Sequence, residues 1–438
     1  MGAVNFLIWV AMIHYLEMRN VGPMDYLEVS FAPRLNLLTG DNGLGKSFLL
    51  DIVWWCMTRF WPSEINRKLT TGLMAYPTNV EKEAWIRYHL EASTKTAEFK
   101  SHFDRNAQRW NMPEERPVNP GIVFYAMADG SVAIWDSVRN YWKTKSDVES
   151  EKQVRGYVFS PEEIWNGLYR SSGTVLCNGL IQDWVMWQIR QEASWETLKT
   201  VLDALSPSEE EKLCPGEPVR VYLEDAREIP TLAMPYGQSV PIIHLSSGMR
   251  RIVSLAYLLI WCWNEHVLYA KRMDCRIAST ITFLFDEAES HLHPRWQRTL
   301  VPALLNVIKC LSSEVDLQLV LATHSPLIMS SVETAFVDEL DTWFDLDLHH
   351  GIVSLEAKTF QKQGDYSHWL MSEAFDLDKS YNIEAEKVIH EMSDAMKKKN
   401  VPSEALAEIT RRAVAVLPEF DPYLRRWFDL VERLGDSK

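Results

Sequence analysis

The sequence predicts an α/β fold in which a β-rich part and a helical part lie between two halves of one core. Three observations predict it. The stretch "LTGDNGLGKS" at 38–47 places a glycine loop between an apolar run and a helical pattern. Two further apolar runs, "ITFLFDEAE" at 281–289 and "LQLVLATHS" at 317–325, read as buried strands that end in polar residues. Between these halves the apolar period shifts from two, over 83–136, to three and four, over 161–205.

Composition sets the outer bounds. The chain has 438 residues, 47% hydrophobic and 24% charged, an ordinary globular balance. Its 18 Trp read as core or interface side chains, since aromatic rings bury large areas. Net charge is −15, and residues 327–438 carry 22 acidic and 13 basic residues. Binding to DNA would therefore need a local basic patch or a partner that supplies one. Six Cys lie far apart with no C-x-x-C, which predicts neither a zinc ribbon nor a redox pair and fits a reducing, cytoplasmic setting. The apolar start Val4 to Leu16 lacks a basic flank and is short for a membrane span. It reads as a buried first strand or leader residues, with a membrane anchor as the other reading.

In chain order, 16–39 reads as two strands around "NVGPMD", with Arg34 to Thr39 a buried strand feeding the loop. The loop fits G-x-x-x-x-G-K-[ST] through Gly40, Gly45, Lys46 and Ser47. Glycines let successive N–H groups turn toward phosphate oxygens. Lys46 would reach the β/γ-phosphates and the Ser47 hydroxyl would sit on Mg²⁺. A helix follows over 48–60, so its N-terminus faces the anion. Residues 83–136 read as a β-rich unit, in which Asp129-Gly130 marks a hairpin. Residues 161–205 read as helices, 219–245 as strands and 247–268 as an apolar helix opened by "HLSSGMRR". Ser246, Ser247 and Gly248 make either a second anion-binding helix start or an ordinary N-cap. From 380 onward the pattern is helical and polar, with "KKKN" at 397–400 as a helix end.

The acids closing the second run suit a phosphate site. Asp286 can hold the Mg²⁺ that Ser47 also touches, and Glu287 can polarise an attacking water. His324 follows Glu287 by 37 positions, just past the next strand.

The order is phosphate loop, Ser-Ser-Gly helix, strand with Asp-Glu, strand with His. It resembles the ATP-binding-cassette (ABC) ATPases, and within them the soluble branch with the SMC, Rad50 and RecF proteins. That resemblance implies an ABC-type ATPase head with a RecA-like core, binding ATP and Mg²⁺. Asn42, Gly43, Gly45, Lys46, Ser47 and Phe48 would form Walker A. Asp286 and Glu287 would form Walker B, and Ser246, Ser247 and Gly248 the signature. His324 would be the switch histidine. It also implies a homodimer in which each copy's signature closes on its neighbour's γ-phosphate. The family's Mg²⁺- and water-sensing glutamine would be Gln182, or else Gln188. "DEAESHLHPRWQ" at 286–297 resembles the OLD-type branch, including Septu-system, retron-linked, PARIS and Gabija defence ATPases. Its turn Ser290 to His293 would lie at the dimer seam. A metal role for His291 and His293 is the alternative.

Departures from relatives sharpen the expectation. About 200 residues separate Walker A from the signature, with no sustained heptads, which excludes long coiled-coil arms. About 110 residues follow His324, too few for the nuclease domain that OLD and Gabija ATPases carry. Asp345 and Asp347 in "WFDLDLHHG" then read as a solvent-facing strand rim. The tail "LPEFDPYLRRWFDLVE" at 417–432 is either a docking helix or a helix packed on its own domain. It resembles the ends of Septu-like and retron-linked ATPases that work with a separate HNH nuclease. The expected layout is a head over 1–345: a nucleotide-binding lobe at 16–60 and 270–345, a β-rich part at 83–136 and a helical signature lobe at 160–268. A mainly helical docking region follows at 346–438. The expected function is an ATP-hydrolysing switch controlling an effector nuclease or retron components in phage defence. The alternative is a RecF- or Rad50-like DNA-repair ATPase.

Overall fold

The computed structural model describes residues 12–92, 95–112, 119–140, 154–375, 377, 381–397 and 402–435. The start of the apolar N-terminal stretch, and all but the first residue of "KKKN", lie outside them. The chain divides into two compact units, Met1–Tyr366 and Ser367–Lys438.

The first unit is built on an eight-stranded sheet. Its strand order is Ile352–Lys358, Asp341–His349, Leu35–Gly40, Asp316–Ala322, Thr280–Phe285, Ile122–Ala126, Val132–Asp136 and Tyr157–Phe159. The five strands from Asp341–His349 to Ile122–Ala126 run parallel, and the outer pairings are antiparallel. The parallel strands are apolar almost throughout, as strands covered on both faces must be. Register places Trp343, Leu37, Leu321, Phe285 and Ala126 in one row across the sheet. Gly40, Asp286 and His324 follow just beyond that row, at the carboxyl ends where open α/β sheets bind ligands.

A five-stranded sheet of Met24–Ser30, Met12–Val21, Trp85–Ala92, Lys95–Asp104 and Arg109–Trp110 shares its core with the first. The helix Lys46–Thr58 lies in that joint core, with Leu50, Trp54 and Trp55 packed among Leu16, Tyr88, Tyr125 and Leu284. Trp55 stacks on Trp61 at 5.6 Å and meets Trp110 at 6.0 Å. Trp54, Trp55, Trp61, Trp135, Trp184, Trp369 and Trp427 are fully buried, so the Trp excess serves packing.

Two expectations need correction here. The region 83–136 is not one β-rich unit. Its first part alternates and joins the five-stranded sheet, whereas the hairpin at 122–136 is buried at every strand position and extends the large sheet beside Thr280–Phe285. The boundary at 345 falls inside the strand Asp341–His349, which pairs with the phosphate-loop strand. Asp345 is therefore not a solvent-facing rim. It is buried and accepts a hydrogen bond from Thr39 Oγ1 at 2.6 Å.

The rest of the first unit is largely helical, with Pro161–Asn166, Leu180–Arg190 and Ala193–Ala204 leading through a small three-stranded sheet to the long helix Ser247–Arg272. A fully buried network ties this helix to the large sheet. His266 Nδ1 meets Asp136 at 2.7 Å, Arg139 Nε donates to the same carboxylate, and Ala278 N donates to His266 Nε2.

The second unit packs Ile383–Lys397, Ser403–Val416 and Pro422–Gly435 around Val388, Ile389, Met392, Leu406, Ala413, Leu424 and Trp427. The tail helix thus has its own core contacts, and Trp427 Nε1 donates to Thr410 at 2.8 Å. Phe420 and Phe428 stay exposed. Among the described residues no helix is long and apolar enough to cross a membrane.

Candidate nucleotide site

The strand Leu35–Gly40 delivers a loop whose backbone only glycine accepts easily. Gly40, Gly43 and Gly45 have φ of 124°, 82° and 105°. A Cβ on Gly40 would collide with the Leu346 carbonyl, while Gly43 faces open space. The next turn starts the helix at Lys46. Lys46 Nζ folds back and donates to the carbonyls of Gly40 at 2.7 Å and Asp41 at 2.9 Å. Burial pulls its pKa down to about 8, against the opposing pull of Asp286, Glu289, Asp41 and Glu287. Asn42, Gly43 and Ser47 are exposed around it. Phe48 wedges toward Gly22, where a Cβ would strike its ring.

Asp286 sits at the end of the neighbouring strand but one. Its backbone N–H donates to Ala126 O at 2.9 Å, and its carboxylate accepts a hydrogen bond from Ser47. Asp286 Oδ1 is buried with no hydrogen-bond partner among the described residues. Burial pushes the Asp286 pKa up to about 6. A hydroxyl touching a carboxylate with one orphaned buried oxygen is a donor set that suits a hard divalent cation, so Ser47 and Asp286 fit Mg²⁺.

Glu287 occupies a left-handed conformation, φ 44°, and accepts from Ser290 Oγ at 2.9 Å. Strain of this kind costs about 1–3 kcal/mol and persists where surroundings fix it. Glu289 performs the fixing. Its carboxylate accepts from Thr323 Oγ1 at 2.7 Å and from His324 N at 2.5 Å, locking the acid turn to the histidine strand. Burial first, and Lys46 second, hold the half-buried His324 imidazole below its usual pKa, which favours the neutral ring. Lys46, Asp286, Glu287, Glu289 and His324 thus form one electrostatic group.

The signature segment lies at the start of Ser247–Arg272. Ser246 is its N-cap and accepts from Met249 N at 3.4 Å, while Ser247 is exposed. Gly248 is buried for a local reason: a Cβ there would lie 2.5 Å from the His291 carbonyl. Arg251 adds a second tie, donating to Asp286 O at 2.9 Å and Ser290 O at 3.3 Å. The H-L-H-P turn is therefore braced by its own chain's signature helix. Among the described residues, no group of three or more His, Cys, Asp or Glu is placed to hold a metal.

Gln182 is not joined to this group. It is exposed on Leu180–Arg190, and no hydrogen bond links it to Ser47, Asp286 or Glu287 among the described residues. The alternative, Gln188, is buried and donates to Gly216 O at 3.1 Å. Asp286 is flanked by the end of Ile122–Ala126, whose last carbonyl accepts from its backbone N–H. Sequence does not reveal which strand neighbours Thr280–Phe285, so it could not say which segments flank Asp286. Sequence reasoning also gave no role to Glu289 and Arg251. The third acid of D-E-x-E was the available signal for Glu289, and its partners come from a strand 34 residues away.

The chain is similar to several known proteins. The chain is 20% identical over 397 residues to the "Retron Vc95 probable ATPase" of Vibrio cholerae serotype O1 biovar El Tor, covering 76% of this chain and 75% of that protein. It is 20% identical over 338 residues to "Septu protein PtuA" of Bacillus thuringiensis, covering 75% and 74%. Among solved structures, an SMC head bound to the C-terminal winged-helix domain of ScpA aligns over 80% of this chain and 98% of that one, with 14% identity and a TM-score of 0.42. Residues 35–330, more than half of the chain and spanning every motif above, match the family described as "AAA domain, putative AbiEii toxin, Type IV TA system", and the chain belongs to that ATPase-domain family.

Proposed function

We propose that this chain is an ATP-hydrolysing switch that closes into a homodimer around ATP and controls a separate effector nuclease in phage defence, in the cytoplasm. The observation that carries the reading is the meeting of Lys46, Ser47, Asp286, Glu287 and His324 at the carboxyl ends of three adjacent parallel strands. Family membership supports the ATPase activity, and the retron and Septu names of its relatives support the defence setting.

The residues divide the work as follows. Lys46 leaves the Gly40 and Asp41 carbonyls and pairs with the β/γ-phosphates, while the loop N–H groups hold the same oxygens. Ser47 and Asp286 would hold Mg²⁺, which neutralises charge on the phosphate oxygens when bound. Glu287, steadied by Ser290, orients the attacking water. His324, held at its backbone by Glu289, senses the γ-phosphate side of the site. The exposed Ser246 and Ser247 present the signature to a second copy. The second unit, with Phe420 and Phe428 exposed, offers a surface for the nuclease, of HNH type, or for retron components.

The test is ATP turnover together with the size of the particle in solution. Wild-type protein should hydrolyse ATP in the presence of Mg²⁺. Glu287→Gln with ATP should run as a dimer by light scattering, and Lys46→Ala should stay monomeric. A Glu287→Gln protein that hydrolyses ATP at the wild-type rate, or stays monomeric with bound ATP, overturns the reading.

A further inference from the structure

Next to the acid turn lies a second cavity of about 610 Å³, within the range of small-molecule sites. One wall is a single face of the long helix, carrying Ser247, Arg250, Arg251 and Ser254 at helical spacing. The hairpin loop 127–132, the short helix Pro161–Asn166 and part of the segment 222–229 complete it. No residue of the loop 40–48 lines it, and neither do Glu287, Glu289 or His324. It therefore lies apart from the phosphate loop and the acid pair, sharing only Ser247 with the signature start.

Most of its charges are committed. Arg227 pairs with Asp225 and donates to Asn166. Arg251 donates to the Asp286 and Ser290 carbonyls. Arg250 is different: its guanidinium has no hydrogen bond or ion pair among the described residues, and it is exposed at the cavity. Glu162, from the short helix, likewise has no hydrogen-bond donor among them. Ile164, Trp165, Ile181 and Leu255 also line the cavity. A guanidinium, a carboxylate and an apolar, partly aromatic lining select a molecule with an anionic group, a flat apolar body and hydroxyl or amino donors.

We propose that this cavity binds a small organic anion of that kind, the class that a nucleoside 5′-monophosphate represents. Its phosphate pairs with Arg250, its base lies among Trp165, Ile164 and Leu255, and Glu162 accepts from its hydroxyl or amino groups. Arg251, shared between this cavity and the backbone around Asp286, carries the occupant's effect to the acid turn. That last consequence rests on the ATPase reading above; the binding does not.

Titration calorimetry of AMP, GMP, CMP and UMP against the full chain tests it, using wild-type protein and Lys46→Ala, whose phosphate loop is disabled. At least one monophosphate should bind Lys46→Ala as tightly as wild type. Arg250→Glu should weaken that binding by about tenfold or more, as expected for losing a charge-assisted contact. Ser254→Phe, which fills the cavity, should weaken it similarly, with circular dichroism confirming the fold. Binding lost with Lys46→Ala would place the ligand in the phosphate loop and overturn the proposal. So would affinity unchanged in Arg250→Glu, or no heat from any of the four at about 10 mM. If binding survives while ATP turnover is absent in wild type, the ATPase reading falls and this site stands.

Discussion

The acid turn and the signature start are the two polar ends of the proposed nucleotide site, and they are built in opposite ways. At the acid turn the key groups are held within the chain. Glu289 is locked to Thr323 and His324, Glu287 to Ser290, and Lys46 to its own loop carbonyls. At the signature start, Ser246 and Ser247 are exposed, and among the described residues their one side-chain hydrogen bond is the long cap that Ser246 accepts from Met249 N. One end is preorganised for a charged substrate, as electrostatic catalysis requires. The other presents hydroxyls to solvent, which supports a site finished by a second copy. Gly248 belongs with the first end despite its place in the signature, because the His291 carbonyl fixes it within the chain.

The largest test of this contrast is Lys46→Ala. The preorganised end should lose ATP affinity by about a hundredfold or more, read by titration calorimetry, since its buried cation has no substitute. Next is Glu287→Gln, which should cut turnover by about 10²–10⁴-fold while leaving ATP affinity within a few-fold. Equal losses in affinity and turnover would mean that Glu287 shapes the site rather than orienting water.

Asp51 sharpens the comparison through pH. On the phosphate-loop helix it accepts from Tyr125 at 2.9 Å, and burial pushes its pKa up to about 7. A raised carboxyl pKa means that the folded state binds the extra proton. Its contribution is greatest below the unfolded value near 4 and is lost as pH rises through about 7. The nucleotide-free protein should therefore lose on the order of 2 kcal/mol between pH 5 and 8, read by chemical denaturation. Asp51→Asn should flatten that slope.

The smallest effects separate the two kinds of signature residue. Gly248→Ala should cost about 1–3 kcal/mol of stability without any ligand, because a methyl group meets backbone. Ser247→Ala, at an exposed position, should shift stability by less than about 0.5 kcal/mol. Under the dimer reading it should still weaken ATP-dependent association. If Ser247→Ala lowers the melting temperature as much as Gly248→Ala does, the contrast between the two ends fails.

Much of this was legible because local chemistry demanded it. A run such as "TITFLF" ending in Asp-Glu reads as a strand covered on both faces, and the glycine loop needs φ values that other residues resist. The hairpin at Asp129-Gly130 was legible as a hairpin, yet not its address. Period-two alternation reports one wet face, and Ile122–Ala126 has none, so its place beside Thr280–Phe285 could not be read from texture.

Sequence by itself determined the phosphate loop, the acid pair, the helix carrying Ser246 and the strand leading to His324, because each is a short-range pattern with its own backbone and burial requirements. Only the tertiary structure decided strand order, the bond from Glu289 to His324, the approach of His291 to Gly248 and the burial of Asp345. Those depend on which distant segments pair. Pairing is chosen by the summed packing of whole faces, which no single window of residues records.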